Sequence, residues 1–422
     1  MSAAVRSRTA WSFASTAVAS TLRGALLSRG MATFSVADYG AVGFDLDHTL
    51  ASYDTPALFA AVQRDVRQFL VSKGRVLGEP VDWRPLKGLV VDADRGLLLK
   101  LDAAGRVERA VRGLRPVPDA GRLYGGLAVP WAMDSPAPPS GWACFRDDFS
   151  VPAEPLYAQL VSEASSDQSD APLRPLWTEM LEAISHVYGP TGFWVRTLVE
   201  RPQELVHRCS ESVLLWLRAL RQDGKRTFLL TSAEAPVVRS MARHCLGDDW
   251  MDLFDLVIVD ARKPGFFSNK RPFLELNGDE TRQMTPDETL KPGRMYCQGS
   301  WSEVLRRRWL GSRRALYIGD SLLDDVLAAR GCCDTVAIVR EMAGEEDLSD
   351  ECEKNWGSLF VSGRVPSLWT RTLCAAAKLA VPSVDVLAGL PLTRRLPAFD
   401  GSATPRGFYP CPPRALSLLM DI

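Results

Sequence analysis

The strongest constraint on the fold of this chain is a pair of carboxylates. Asp45 and Asp47 stand directly after a short apolar run, Tyr39 to Phe44. A run of that length reads as a buried strand. Carboxylates two residues apart at a strand's C-terminal end lie at the mouth of an α/β sheet, where such folds keep their ligand sites. Like charges so close repel unless a cation sits between them. A solvated turn whose Asp residues cap a helix is the competing reading. The pair alone leaves both open.

Three further runs decide between them. Thr227 to Leu230 is a second short apolar strand, and the hydroxyls of Thr231 and Ser232 follow it. Leu253 to Asp260 is a third, followed by Lys263-Pro264-Gly265. Ala315 to Asp320 is a fourth, followed by Ser321-Leu322-Leu323-Asp324-Asp325. Each strand delivers polar chemistry just past its end. The ordered series of Asp, Thr/Ser, Lys and Gly-Asp resembles the haloacid dehalogenase-like phosphohydrolases. The stretches Leu253 to Phe267 and Val91 to Asp102, with Gly105 and Gly113 after the second, resemble more narrowly the cytosolic purine 5'-nucleotidases. The resemblance runs from Met31 to the C-terminus.

That resemblance implies an α/β fold: a Rossmann-like core with a parallel sheet and a large inserted cap. It also implies roles for individual residues. Asp45 matches the nucleophile that accepts a phosphoryl group, and Asp47 the general acid and base. Thr231 and Ser232 would bind phosphoryl oxygens, and Thr49 would orient the loop beside the substrate. Lys263 would neutralise charge on the phosphoryl group and on Asp45. Asp320 would ligate Mg²⁺ with Asp45 and the backbone carbonyl of Asp47. Asp325 aligns best with the second acidic residue of that loop, with Asp324 one position away as the alternative. Phe149 matches an aromatic that stacks on the base. The two positions expected to hydrogen-bond the base carry Leu181 and Ser185, a departure from the family pattern. The implied activity is Mg²⁺-dependent hydrolysis of a nucleoside 5'-monophosphate through an aspartyl-phosphate. A phosphotransferase, a phosphatase of another small metabolite, or an interaction scaffold on the same fold are the alternatives.

Asp47 and Thr231 are too far apart for a single βαβ connection. Residues 54–205 therefore read as a cap inserted into a core made of 32–53 and 206–340. The spacing of Phe59, Val62, Val66 and Leu70 predicts a helix over 57–73. A hairpin is expected around Asp94-Arg95-Gly96, a polar loop over 164–170 and a helix over 177–188. Ser210 to Arg221 predicts a crossover helix before the second core strand. The Pro-rich stretch 341–422 reads as a tail packing on the core.

Bulk composition narrows the partners. A formal charge of −1 offers no long-range attraction for nucleic acid or an anionic membrane. A small phosphate ester must then be held by local groups and a metal. Nine scattered Cys, with no C-x-x-C, read as free thiols in a reducing compartment. Four His without ligand spacing argue against zinc, and no apolar run spans a bilayer. Residues 1–37 hold four Arg and no acid, which resembles a mitochondrial transit peptide. Met31 as the working start is the competing reading and leaves the location cytoplasmic, with 1–31 a separate targeting segment in the first case.

Overall fold

The computed structural model describes residues 32–135, 138–166, 172–278, 280–285, 287–302, 309–344, 356–402 and 405–419. The expectation for residues 1–31 lies outside them. Strand β1 (Ala41–Phe44) is the first of the central sheet. A long insertion then carries β2 (Leu89–Asp92), β3 (Leu97–Leu101), β4 (Val107–Arg112), β5 (Arg115–Pro116) and β6 (Trp142–Phe145). After it come β7 (Arg226–Leu230), β8 (Leu256–Val259), β9 (Phe273–Asn277), β10 (Glu280–Gln283), β11 (Met295–Gln298), β12 (Ala315–Gly319), β13 (Asp334–Ile338) and β14 (Leu379–Val381).

The central sheet runs in the order β10-β9-β11-β8-β7-β1-β12-β13-β14. Neighbours from β11 to β14 are parallel, and the β9–β10 hairpin is antiparallel on one edge. This is the parallel-sheeted α/β core expected from the sequence. Every residue of β1, β8 and β12 is buried, which is why these strands read as continuous apolar runs. Phe44 lies opposite both Leu229 and Ile318, and Leu230 opposite Ile258. The register thus brings the C-terminal ends of β1, β7, β8 and β12 to one edge. Gly43 permits it: a Cβ there would stand 2.1 Å from the Phe228 ring.

The insertion begins with helix α1 (Thr55–Ser72), whose N-cap Asp54 accepts from the Ala57 N–H. Helices α2 (Glu154–Ser166), α3 (Arg174–Tyr188) and α4 (Phe193–Glu200) follow. The expected polar loop begins later than the sequence suggested, because α2 continues through Ser166; residues 167–170 lie outside the described set. Strands β2 to β6 form a separate five-stranded antiparallel sheet. Its two faces bury different partners. Leu89, Val91 and Leu98 join Val66, Tyr157 and Met180 of the insertion, in a cluster continuous with Phe44 and Leu229 of the core. Val90, Leu97 and Leu99 join Phe360, Trp369 and Phe408 from the C-terminal stretch.

Helix α5 (Glu211–Gln222) is the expected crossover, capped by Ser210 Oγ, which accepts from the Val213 N–H. Its Trp216 packs edge-on against Phe44, with centroids 5.7 Å apart. Helix α6 (Ala235–Leu246) follows β7. The C-terminal stretch is more than a tail. It supplies β14 to the central sheet and fastens the insertion, with Lys100 Nζ donating to the carbonyls of Trp356 and Val361 at 2.7 and 2.9 Å. A three-residue strand gives too little pattern to be read from sequence. Among the described residues, no helix is long and apolar enough to cross a membrane.

Candidate active site

The edge where β1, β7, β8 and β12 end carries four groups of polar residues. Asp45 follows β1, and its N–H donates to Ile318 O at 2.9 Å. Thr231 follows β7 and its N–H donates to Ile258 O, so the backbone ladder extends one residue past the strand. Lys263 comes from the loop after β8, and its backbone N–H donates to Ser232 Oγ at 3.0 Å. Asp320 follows β12. Together with Asp47, Phe149, Tyr188, Trp194, Ser232 and Asp325 these residues line a cavity of about 370 Å³.

Lys263 Nζ is the hub. It lies 2.8 Å from Asp45 Oδ1 and 2.6 Å from Asp325 Oδ1, and donates to the Tyr317 hydroxyl at 3.1 Å. Burial works against its charge, yet Asp325 and Asp45 hold the ammonium above the usual lysine range. Tyr317 donates in turn to Leu230 O at 2.8 Å. Asp325 Oδ2 accepts from the Ser321 N–H at 3.1 Å. A single π-helical turn over Leu322–Leu327 swings Asp325 inward. Gly319 leaves room for it, since a Cβ there would meet Asp325 Oδ2 at 2.4 Å.

Carboxylate oxygens of Asp45, Asp320 and Asp325 all lie within 4.8 Å of one another. Burial, opposed by Lys263 and reinforced by Asp325 and Asp47, pushes Asp45 up to about 7. Burial, then Asp325 and Asp45, lifts Asp320 well above the carboxylate range. Three hard oxygen donors, two buried and one half-buried, that raise one another's affinity for positive charge suit a divalent cation such as Mg²⁺. Asp324, the alternative second acid, also borders the cavity but stands outside this three-carboxylate group, and its Oδ2 lies 3.6 Å from Arg146 of the insertion. Burial, opposed by Arg146, pushes it up to about 6.

Asp47 faces the same cavity. The Tyr53 hydroxyl donates to its Oδ1 at 2.6 Å. Burial raises Asp47, and this hydrogen bond and Lys263 oppose the rise. His48, at φ +53°, stacks on Tyr53 with centroids 4.5 Å apart and meets Phe149 edge-on at 5.0 Å. Burial holds it down to about 4, against the pull of Asp148. Asp148 is buried between Lys87 at 2.8 Å, Arg340 at 2.8 Å and His48 at 3.6 Å. Insertion and core therefore meet through charge as well as apolar packing beside the site.

Phe149, Tyr188 and Trp194 form an aromatic corner of the cavity, pairwise near-perpendicular with centroids 5.4 to 5.7 Å apart. Thr231 Oγ1 accepts from the Ala233 N–H at 3.2 Å. Thr49 is the exception among the expected residues. It is buried beside Asp47, its N–H donates to Leu46 O, and it is not among the residues that line the cavity. Leu181 borders an adjoining cleft of about 1210 Å³ that shares Asp147, Phe149 and Asp324 with the cavity, whereas Ser185 is exposed and borders neither. Tyr53, Tyr317 and Ser321 were not singled out from sequence. Tyr317 could have been: a phenol in an otherwise apolar buried strand needs a polar partner.

Comparison with known proteins gives the family. A family model described as the 5' nucleotidase family matches residues 32–359. The 5'-nucleotidase domain-containing protein 1 of Bos taurus is 32% identical over 442 residues, covering 91% of this chain and 97% of the relative. Its Homo sapiens counterpart is 31% identical with the same coverage. The human 5'-nucleotidase domain-containing protein 2 is 33% identical over 329 residues, covering 74% of this chain and 62% of that protein. With a family model matched over residues 32–359 and relatives about a third identical over most of its length, the chain belongs to the 5' nucleotidase family.

Proposed function

We propose that this protein is a Mg²⁺-dependent phosphohydrolase that removes phosphate from nucleoside 5'-monophosphates through an aspartyl-phosphate on Asp45. The observation that carries the reading is Lys263 bridging Asp45 and Asp325 at 2.8 and 2.6 Å, inside a cavity that also holds Asp47 and Asp320. Asp45, Asp320 and Asp325, with the backbone carbonyl of Asp47, would hold the ion. When bound, it would neutralise phosphoryl charge and keep the phosphorus in line.

An Asp45 oxygen attacks phosphorus, the ester P–O bond breaks, and Asp47 gives its proton to the departing oxygen. Water then attacks the phosphorus of the aspartyl-phosphate. Asp47 takes a proton from it, and the acyl phosphate bond breaks to release inorganic phosphate and free Asp45. Lys263 offsets charge on the transferring group throughout. Thr231 and Ser232 supply hydroxyls to phosphoryl oxygens. Phe149, with Tyr188 and Trp194, offers an apolar wall to the leaving nucleoside. Leu181 gives a base edge no hydrogen-bond partner, so discrimination among bases is expected to be modest, about tenfold.

A panel of phosphate esters, assayed with and without Mg²⁺ beside an Asp45→Asn control, tests the reading. Nucleoside 5'-monophosphates should be hydrolysed, EDTA should remove the activity, and Mg²⁺ should restore it. Ca²⁺ should inhibit, because its looser coordination spoils in-line geometry. Release of phosphate by the Asp45→Asn variant at the wild-type rate would reject the nucleophile. Hydrolysis confined to esters without a nucleoside would reject the substrate class.

A further inference from the structure

Tyr53 sits where the chain leaves the core for the insertion. Its backbone pairs antiparallel with Val206, where the chain returns. The flanking bonds close the clasp: Asp54 N–H donates to Leu205 O and His207 N–H to Ser52 O, both at 2.8 Å. From this clasp the Tyr53 side chain reaches back to Asp47. The residue is 5% exposed, and its hydroxyl donates to Asp47 Oδ1 at 2.6 Å. Its other polar neighbour, Met241 Sδ at 3.7 Å, is a weaker acceptor. His48 covers one face of the ring, and Phe149 of the insertion meets its edge at 6.3 Å.

A phenol O–H given to Asp47 Oδ1 makes that oxygen an acceptor. A proton carried by Asp47 then resides on Oδ2. The carboxyl is also denied free rotation, since turning it would break a short buried hydrogen bond. We infer that Tyr53 is a positioning residue for proton transfer: it fixes which oxygen of Asp47 faces the leaving group, and it ties that orientation to the seat of the insertion on the core. This rests on the phosphohydrolase reading above.

The prediction is specific to the leaving group. Departure of an alkoxide needs the proton from Asp47, whereas an activated phenolate leaves without it. Wild type and Tyr53→Phe should be compared on a series of substituted aryl phosphates of increasing leaving-group basicity, at fixed pH and saturating Mg²⁺. The dependence of log kcat/KM on leaving-group pKa should steepen in Tyr53→Phe. The loss should be within about threefold for a nitrophenyl ester and roughly tenfold or more for the least activated ester, a fraction of a full general-acid contribution. The slope is independent of how much of the variant is folded. An equal loss on every ester, with the slope unchanged, would mean that Tyr53 is only structural and would overturn the inference. Wild type inactive on every ester would instead overturn the phosphohydrolase reading on which the inference stands.

Discussion

The cavity has two halves built on different principles. One half is the edge of the central sheet, where Asp45, Thr231, Lys263 and Asp320 project from the ends of parallel strands. Their positions follow from register and backbone bonds, and charge dominates: Lys263 touches two carboxylates within 2.8 Å. The other half belongs to the insertion. Phe149, Tyr188 and Trp194 come from a loop and two helices, and they hold one another by edge-to-face packing. The charged half is unforgiving, because a buried charge without its partner costs several kcal/mol. The aromatic half is tolerant, since the loss of one ring mainly removes contact area. The first half suits the chemistry common to all substrates, and the second suits the part in which substrates differ.

Four experiments press on that contrast, taken from the largest expected effect to the smallest. Asp45→Asn should abolish phosphate release in a direct assay and leave the fold intact. The variant removes a buried charge that the cluster disfavours, so without metal its melting temperature should match or exceed wild type. A variant that loses activity only through unfolding would break the assignment of Asp45 to chemistry.

Next, Lys263→Ala should destabilise the metal-free protein by about 3 kcal/mol near neutral pH, because Asp45 and Asp325 lose their counter-charge. Urea unfolding measures it. A cost below about 0.5 kcal/mol, the value of an exposed pair, would contradict the buried hub.

The third experiment follows from the raised carboxyl of Asp45. Its folded value of about 7 lies above the ordinary aspartate value of 3.8, so the folded chain binds the proton more tightly than the unfolded chain. Its stabilising contribution is therefore complete below the unfolded value and is lost as pH rises through about 7. Without metal, stability should fall across that window, and Asp45→Asn should flatten the fall. Saturating Mg²⁺ should also flatten it by binding the ionised cluster in the folded state. A metal-free protein that gains stability as Asp45 ionises would carry the opposite sign and rule out a raised carboxyl at this position.

The smallest effect belongs to the aromatic half. Phe149→Ala should raise KM for nucleotides roughly tenfold, from about 1–3 kcal/mol of base stacking. It should hardly change turnover of a small alkyl phosphate. Equal losses on both substrates would mean that the two halves are one mechanical unit, which the shared apolar core makes a real alternative.

Much of the charged half could be read from the chain. Asp45, Thr231, Lys263 and Asp320 each follow a short apolar run, and parallel strands must bring such ends to one edge. The choice between Asp324 and Asp325 could not be read, because it turns on a π-helical turn and on the space left by Gly319. Thr49 was expected near substrate, yet the turn after Asp47 leaves it outside the residues that line the cavity. On the aromatic side Phe149 was legible by resemblance. Its partners Tyr188 and Trp194 stand on α3 and α4, well along the chain, and meet it only through helix packing.

The sequence by itself determined four of the core strands, the polar residues that follow them and an insertion between the first two, since all three are local patterns of apolar runs and their boundaries. Tertiary structure alone decided which acid turns inward, how the Tyr53 hydroxyl reaches Asp47 from the clasp of the insertion, and how β14 closes the sheet beside β13. Those features depend on contacts between segments distant in the chain. Such contacts are set by packing volume and by the need to pair buried polar groups, and neither requirement leaves a periodic mark on the sequence.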